Sequence, residues 1–163
     1  MSGPPARPPR PELAILVGLP AAGKTSFVRA RLAGHAHVSK DLMGSTRDRN
    51  TRQLALVIQA LAAGQSVVVD NTNVRAADRT PLVAAAHAAG ARAVVYFFDG
   101  TVKECLARNR AREGKARVPD VAIHVSRARL EPPTRKEGFD ALFVVHAEGG
   151  EFQLREGEAV RRQ

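Results

Sequence analysis

Short, mostly apolar runs alternate along this chain with longer segments of helical spacing. The runs are 13–17 (LAILV), 37–39 (HVS), 66–70 (SVVVD), 91–98 (ARAVVYFF) and 141–146 (ALFVVH). A strand without a polar side needs cover on both faces, and strands joined by helices lie parallel. Between the runs, 25–33, 51–63, 76–89, 101–112 and 120–130 read as helices. Leu54, Val57, Ile58 and Leu61 set one apolar stripe, Gly64 and Gly90 act as stops, and Pro132-Pro133 ends the last helix. The expected fold class is α/β: one three-layer sandwich around a central, mostly parallel five-stranded sheet. Residues 1–12 (MSGPPARPPRPE) have nothing to bury and read as a disordered Pro/Arg-rich arm, leaving 13–163 as a single domain. The last dozen residues are polar and read as a short hairpin or a frayed tail.

Composition narrows the function classes. No apolar run approaches the ~18–20 residues that span a bilayer, and the arm lacks the apolar centre of a secretory signal. The one cysteine, Cys105, rules out an internal disulfide framework and a cysteine-built zinc site. The expectation is a soluble, cytoplasmic protein with no membrane partner and no structural metal. A net charge of +9 favours polyanionic partners. With 4% aromatic residues and no Trp, phosphate contacts rather than an extended stacking platform would carry any nucleic-acid binding.

One motif states a chemistry. Gly18-Leu-Pro-Ala-Ala-Gly23-Lys24-Thr25 fits G-x-x-x-x-G-K-[ST] between an apolar strand and a helix. Chance produces the bare pattern in roughly one chain of this length in two hundred. The glycines let backbone N–H groups turn inward around phosphate oxygens, and the following helix aims its positive end at the same point. Lys24 would reach the β- and γ-phosphates, and the Thr25 hydroxyl would sit on magnesium. The cofactor expectation is ATP with Mg2+, on a P-loop, adenylate-kinase-like fold.

Phosphoryl transfer also needs acids. Asp41 follows the second strand and Asp70 ends the third, so both arrive at the sheet edge where ligands bind. Asp41 is placed as general base for an attacking hydroxyl, and Asp70 as a carboxylate beside magnesium. As plain structure, Asp41 would be a helix cap and Asp70 a turn former. No Gln is placed to orient a hydrolytic water, which favours a kinase. The run 108–119 (RNRAREGKARVP) has the character of a lid, or else of a solvated basic face; Arg108 and Arg112 share a helix face and Arg110 points elsewhere.

Together these pieces resemble the kinase domain of the polynucleotide 5′-hydroxyl kinases, phage and animal, an AAA-type P-loop ATP-binding family. The resemblance runs from about Leu13 to Val145 and rests on 18–27 (GLPAAGKTSF), 38–45 (VSKDLMGS), 67–73 (VVVDNTN) and 108–119, in order and at similar spacing. PPTRKEGF at 132–139 also looks like the animal version. The resemblance implies ATP-dependent phosphorylation of a nucleic-acid 5′ end, with Asp41, Lys24 and Arg112 as catalytic residues. It implies donor contacts from Gly18, Pro20, Ala21, Ala22, Gly23, Lys24, Thr25, Ser26, Arg108 and Arg112, and a magnesium site at Thr25 and Asp70. Asn71 and Asn73 would shape the floor. The chain departs from the family at Lys40, where Arg is usual, and at Gly44, where the phage enzyme has Arg. Asp99-Gly-Thr101 lacks the upstream aspartate of a phosphatase signature, since Phe97 stands there, so the reading is kinase without phosphatase.

Two other readings stay open: a small-molecule kinase acting on a sugar, nucleoside or antibiotic, and a regulatory ATP-binding module. His35 and His37 have no nearby carboxylate pair in sequence, His87, His124 and His146 are isolated, and Cys105 reads as core. DNA against RNA and the oligomeric state carry no sequence signal.

Overall fold

The computed structural model describes residues 10–44 and 47–157. Most of the proposed arm, Ser45 of the second motif and the last six residues therefore lie outside the described residues. The elements run β1 (Glu12–Val17), α1 (Lys24–Arg31), β2 (Ala36–Val38), α2 (Arg49–Ala62), β3 (Val67–Val69), α3 (Ala76–Ala88), β4 (Arg92–Phe98), α4 (Val102–Arg110), α5 (Asp120–Arg129), β5 (Ala141–Glu148) and β6 (Glu151–Glu156). Single 3-10 turns at Lys40–Met43, Gly114–Ala116 and Arg135–Glu137 link them.

The sheet order is β2-β3-β1-β4-β5-β6. All neighbours are parallel except the β5–β6 pair. Alternation along β1 builds the two faces. Leu13, Ile15 and Val17 point into one core with Val57 and Leu61 of α2 and Leu82, Val83 and Ala86 of α3. Ala14 and Leu16 point into the other with Phe27 and Val28 of α1, Cys105 of α4 and Ile123 of α5. At ~25 cal/mol per Å² of apolar surface, this two-sided burial is the main source of stability.

The sixth strand corrects the five-strand expectation. Gly149 and Gly150 both have positive φ, 59° and 80°, the backbone of a two-residue hairpin turn with the strands' own twist. That turn folds the polar tail back on β5, with Glu148 opposite Glu151. Two boundaries also move. Glu12, assigned to the arm by composition, opens β1; its backbone N–H donates to Ser66 Oγ at 3.0 Å, and Pro11 accepts from the Arg92 N–H at 2.9 Å. α4 stops at Arg110, short of the expected Arg112.

α3 carries the least expected buried group. Arg79 lies three, four and seven residues before Leu82, Val83 and Ala86, on the helix's core face, and is 0% exposed. Its guanidinium grips both carboxylate oxygens of Glu137 (Nε to Oε1 2.7 Å, Nη2 to Oε2 3.0 Å). It also donates to the carbonyls of Asn73 (2.8 Å) and Glu131 (3.0 Å). This arrangement gives PPTRKEGF a structural role. Glu137 accepts from the Thr134 N–H at 2.9 Å and holds Arg79, tying the segment before β5 to the loop after β3.

Arg79→Leu is expected to cost about 3–5 kcal/mol, because it strands a carboxylate and two carbonyls. A urea titration checks this: the midpoint should fall with an unchanged slope, and a loss below about 1 kcal/mol would show that the clamp is dispensable.

Candidate phosphoryl-transfer site

The loop from Gly18 to Gly23 joins β1 to α1. A Cβ on Gly18 would come 2.9 Å from the Phe98 Cβ, so only glycine lets the loop leave β1 beside the end of β4. Gly23 caps α1 with φ 96°, in the left-handed region. Ala21 is also left-handed, at φ 64°, a strain of about 1–2 kcal/mol for a residue with a Cβ. Ala21 and Ala22 are buried, Pro20 is half-buried, and Ser26 is exposed on the first turn of α1.

Lys24 is 8% exposed and folds back over its own loop. Its Nζ donates to the carbonyls of Gly18 (3.0 Å) and Leu19 (2.6 Å). Burial lowers its pKa to about 8; the negative charges of Asp70 and, more weakly, Asp41 oppose that shift, and Arg112 adds to it. Lys24 therefore feels the charge of Asp70, Asp41 and Arg112. Beside Lys24, the Thr25 hydroxyl donates to Asp70 Oδ2 at 2.8 Å. Asp70 is 6% exposed, and the same Oδ2 lies 2.9 Å from His37 Nε2.

Asp41 sits on the 3-10 turn after β2. Ser39 caps that turn, its Oγ accepting from the Asp41 N–H at 3.3 Å, so Asp41 is not the cap. The Asp41 side chain is exposed, and its carboxylate has no hydrogen bond among the described residues. The turn is pinned from below: the Lys40 N–H donates to Asn71 Oδ1 at 2.9 Å, and Asn71 Nδ2 donates to Gln53 Oε1 on α2. Thr72 accepts from the Gly18 N–H at 3.0 Å, and Asn73 Nδ2 reaches the Leu16 carbonyl at 2.8 Å.

The basic segment departs from its helical spacing: α4 ends at Arg110, so Arg108 and Arg112 do not share a helix face. Arg108 leans toward the β5–β6 hairpin, where Nη2 donates to the Ala147 carbonyl at 2.6 Å. Its Nη1 is buried without a partner among the described residues, 3.6 Å from where a Gly100 Cβ would stand. Arg112 lies past the helix end and donates to the Ala116 carbonyl at 3.3 Å, closing the lid-like turn. Arg110 is exposed and has no hydrogen bond among the described residues.

These groups fit a magnesium nucleotide. A cradle closed on its own lysine, the start of α1 at Lys24 and a buried arginine nitrogen without an acceptor suit phosphate oxygens. The Thr25 hydroxyl and the Asp70 carboxylate are hard oxygen donors. Among the described residues, no group of three or more His, Cys, Asp or Glu converges as a metal cage. A magnesium ion at Thr25 would therefore complete its coordination with phosphate oxygens and water.

Other expectations need correcting. Both histidines of the 35/37 pair have a carboxylate partner, since His35 Nε2 lies 2.8 Å from Glu12 Oε2 and His37 meets Asp70. His87 pairs with Asp140 and His146 with Asp99, so neither is isolated; Asp99 raises the His146 pKa. Cys105 is core, and burial pushes its thiol pKa up. Sequence reasoning passed over Gln53 and Arg79. Arg79 was findable from its register on the apolar face of α3; Gln53 had no such signal.

Residues 13–133 match the AAA domain family. The chain belongs to that family. This AAA domain is 25% identical over 135 residues to the bifunctional polynucleotide phosphatase/kinase of Schizosaccharomyces pombe, covering 78% of this chain and 32% of that protein. It is 26% identical over 147 residues to a candidate protein of the same description from Acanthamoeba polyphaga mimivirus, covering 85% and 34%. The chain thus spans about a third of each relative's length. Chaetomium thermophilum Kti12, solved with ADP-AlF3, shares the fold at TM-score 0.68 and 20% identity, over 83% of this chain and 89% of that one. A gluconokinase of Sinorhizobium meliloti does so at 0.62 and 21%, over 88% and 87%. The fold is that of the P-loop kinases. No described helix is long and apolar enough to cross a membrane.

Nucleotide affinity of this AAA domain should fall as pH rises past about 8, where free Lys24 loses the proton it needs to face a triphosphate. The fall should approach ~10-fold per pH unit. Titrating a fluorescent ATP analogue from neutral to alkaline pH checks this, with Lys24→Arg expected to remove the dependence. A flat wild-type profile would dismiss the lysine's role.

Proposed function

We propose that this AAA domain is an ATP- and magnesium-dependent kinase acting on the 5′-hydroxyl of a polynucleotide, with residues 13–163 as one kinase domain. The observation that carries the reading is Asp41: an exposed carboxylate without a partner among the described residues, on a turn held rigid by Asn71, within charge range of Lys24. A general base needs that freedom, whereas Asp70 is spoken for by Thr25 and His37. The names of the two relatives favour a polynucleotide acceptor, as do the exposed arginines Arg47, Arg49 and Arg52 in the segment that follows the turn, with Arg75, also exposed, at the start of α3.

In this mechanism Asp41 takes the proton of the 5′-hydroxyl as its oxygen bonds to the γ-phosphorus. The bond from that phosphorus to the β–γ bridging oxygen breaks, and ADP leaves. Lys24 leaves the Gly18 and Leu19 carbonyls to hold the phosphate charge. Arg112 and Arg108 supply further cationic donors from the lid side, and the amides of Gly23 to Ser26 line the cradle. Thr25, with Asp70 behind it, would hold magnesium, which would help neutralise the phosphate charge when bound.

Transfer from γ-labelled ATP to DNA and RNA strands tests the reading. 5′-Hydroxyl strands should be labelled, and 5′-phosphorylated strands should not. Asp41→Asn should lower turnover by roughly 10²–10⁴-fold with ATP binding retained. Label passing only to a sugar or another small alcohol would replace the acceptor assignment, and unaltered turnover in the variant would remove Asp41 from the chemistry.

A further inference from the structure

A cavity of about 200 Å³ opens between the first turns of α2 and α3, on the sheet face opposite α1 and α4. Lys40, the neighbour of Asp41, lines it, and so does buried Asn73, whose amide reaches the Leu16 carbonyl just before the phosphate cradle. Buried Leu82 and Gln53 and half-buried Leu54 form its inner part, and exposed Asn50, Thr51, Ala77 and Asp78 form its mouth. No role assigned above uses it.

The lining chemistry is mixed. Gln53 is 5% exposed; its Oε1 takes the Asn71 amide, and its Nε2 has no partner among the described residues. Lys40 adds a cationic donor, and Asn50 and Thr51 can donate or accept. Asp78 can only accept, and one of its oxygens is taken by the Arg75 N–H. Leu54, Leu82 and Pro81 supply apolar surface. A phosphate would gain Lys40 here but would also meet the Asp78 carboxylate and hydrocarbon, while the arginines, Arg47, Arg49, Arg52 and Arg75, are exposed outside the lining. A flat heterocycle with apolar faces and an edge of donors and acceptors suits every group named. Drug-sized sites run to roughly 300–1,000 Å³, so this smaller volume takes one ring system.

We infer that this cavity holds the base of the acceptor's 5′-terminal nucleotide. Its sugar then stands at Lys40 and presents the 5′-hydroxyl to Asp41, while the strand's phosphates follow the arginines. The inference rests on the polynucleotide-kinase reading and adds to it a subsite that makes the enzyme sense its terminal base.

The test compares kcat/KM on two strands that differ only at the 5′ end, one with a normal terminal nucleotide and one with an abasic terminal residue. The wild-type protein is expected to favour the base-bearing end by tenfold or more. Ala77→Phe, which fills the mouth from an exposed position, should collapse that ratio toward one with ATP-analogue binding retained. Asn50→Ala, which adds no bulk, should reorder the preference among the four terminal bases. Equal rates on both ends in the wild-type protein would overturn the inference and leave the kinase reading standing, as would a ratio unmoved by Ala77→Phe. If neither strand is labelled while a small polyol is, the kinase reading fails first and takes the inference with it.

Discussion

Four consecutive residues at the end of β3 bind the parts of the site to one another. Asp70 receives the Thr25 hydroxyl from α1 and meets His37 from β2. Asn71 ties the turn that carries Asp41 to Gln53 on α2. Thr72 takes the N–H of Gly18, and Asn73 reaches Leu16 in β1. Asn73 stands in the left-handed region at φ 45°, where asparagine pays less than most side chains. The buried Arg79 holds its carbonyl from behind. Sparsely populated backbone persists only where its surroundings over-determine it, and here Leu16 of β1 and Arg79 of α3 hold Asn73 from two sides.

The donor side is organised differently, by packing more than by hydrogen bonds. The hairpin of β5 and β6 lies against the start of α1: Phe152 meets Phe27 edge-on at 5.3 Å, and Arg31 donates to the Phe152 carbonyl at 3.2 Å. A Cβ on Gly23 would come 3.4 Å from Ala147. Arg108 joins this hairpin to α4 through Ala147. The cradle is thus walled by the segment that composition presents as a polar tail. The side that carries Asp41 is opener, with Asp41 and Leu42 both exposed.

Much of this was legible in the residues. Near-continuous apolar strands between helical segments specify a parallel sheet covered on both faces, and the glycine–lysine–threonine loop specifies what sits at its edge. Asp41 and Asp70 were legible because ligands gather at the carboxyl ends of parallel strands, and they do stand within charge range of Lys24. The sixth strand is legible only as one option for the polar tail, a short hairpin, although Gly149-Gly150 is a clear turn signal. The histidine partners were missed because their carboxylates are 23 to 53 residues away in sequence.

The sequence by itself determined the alternation of strands and helices, the phosphate cradle and the two acids at the sheet edge, since each depends on neighbours within a few residues. Only the tertiary structure decided which acid is free and which is engaged. Asp70 is held by Thr25, 45 residues away, and His37, 33 residues away, whereas Asp41 meets no hydrogen-bond partner among the described residues. The same holds for Arg79, whose partner Glu137 lies 58 residues on, and for the cavity between α2 and α3. A hydrogen bond or a void is a property of positions in space, and local pattern carries no record of which distant residue will arrive there.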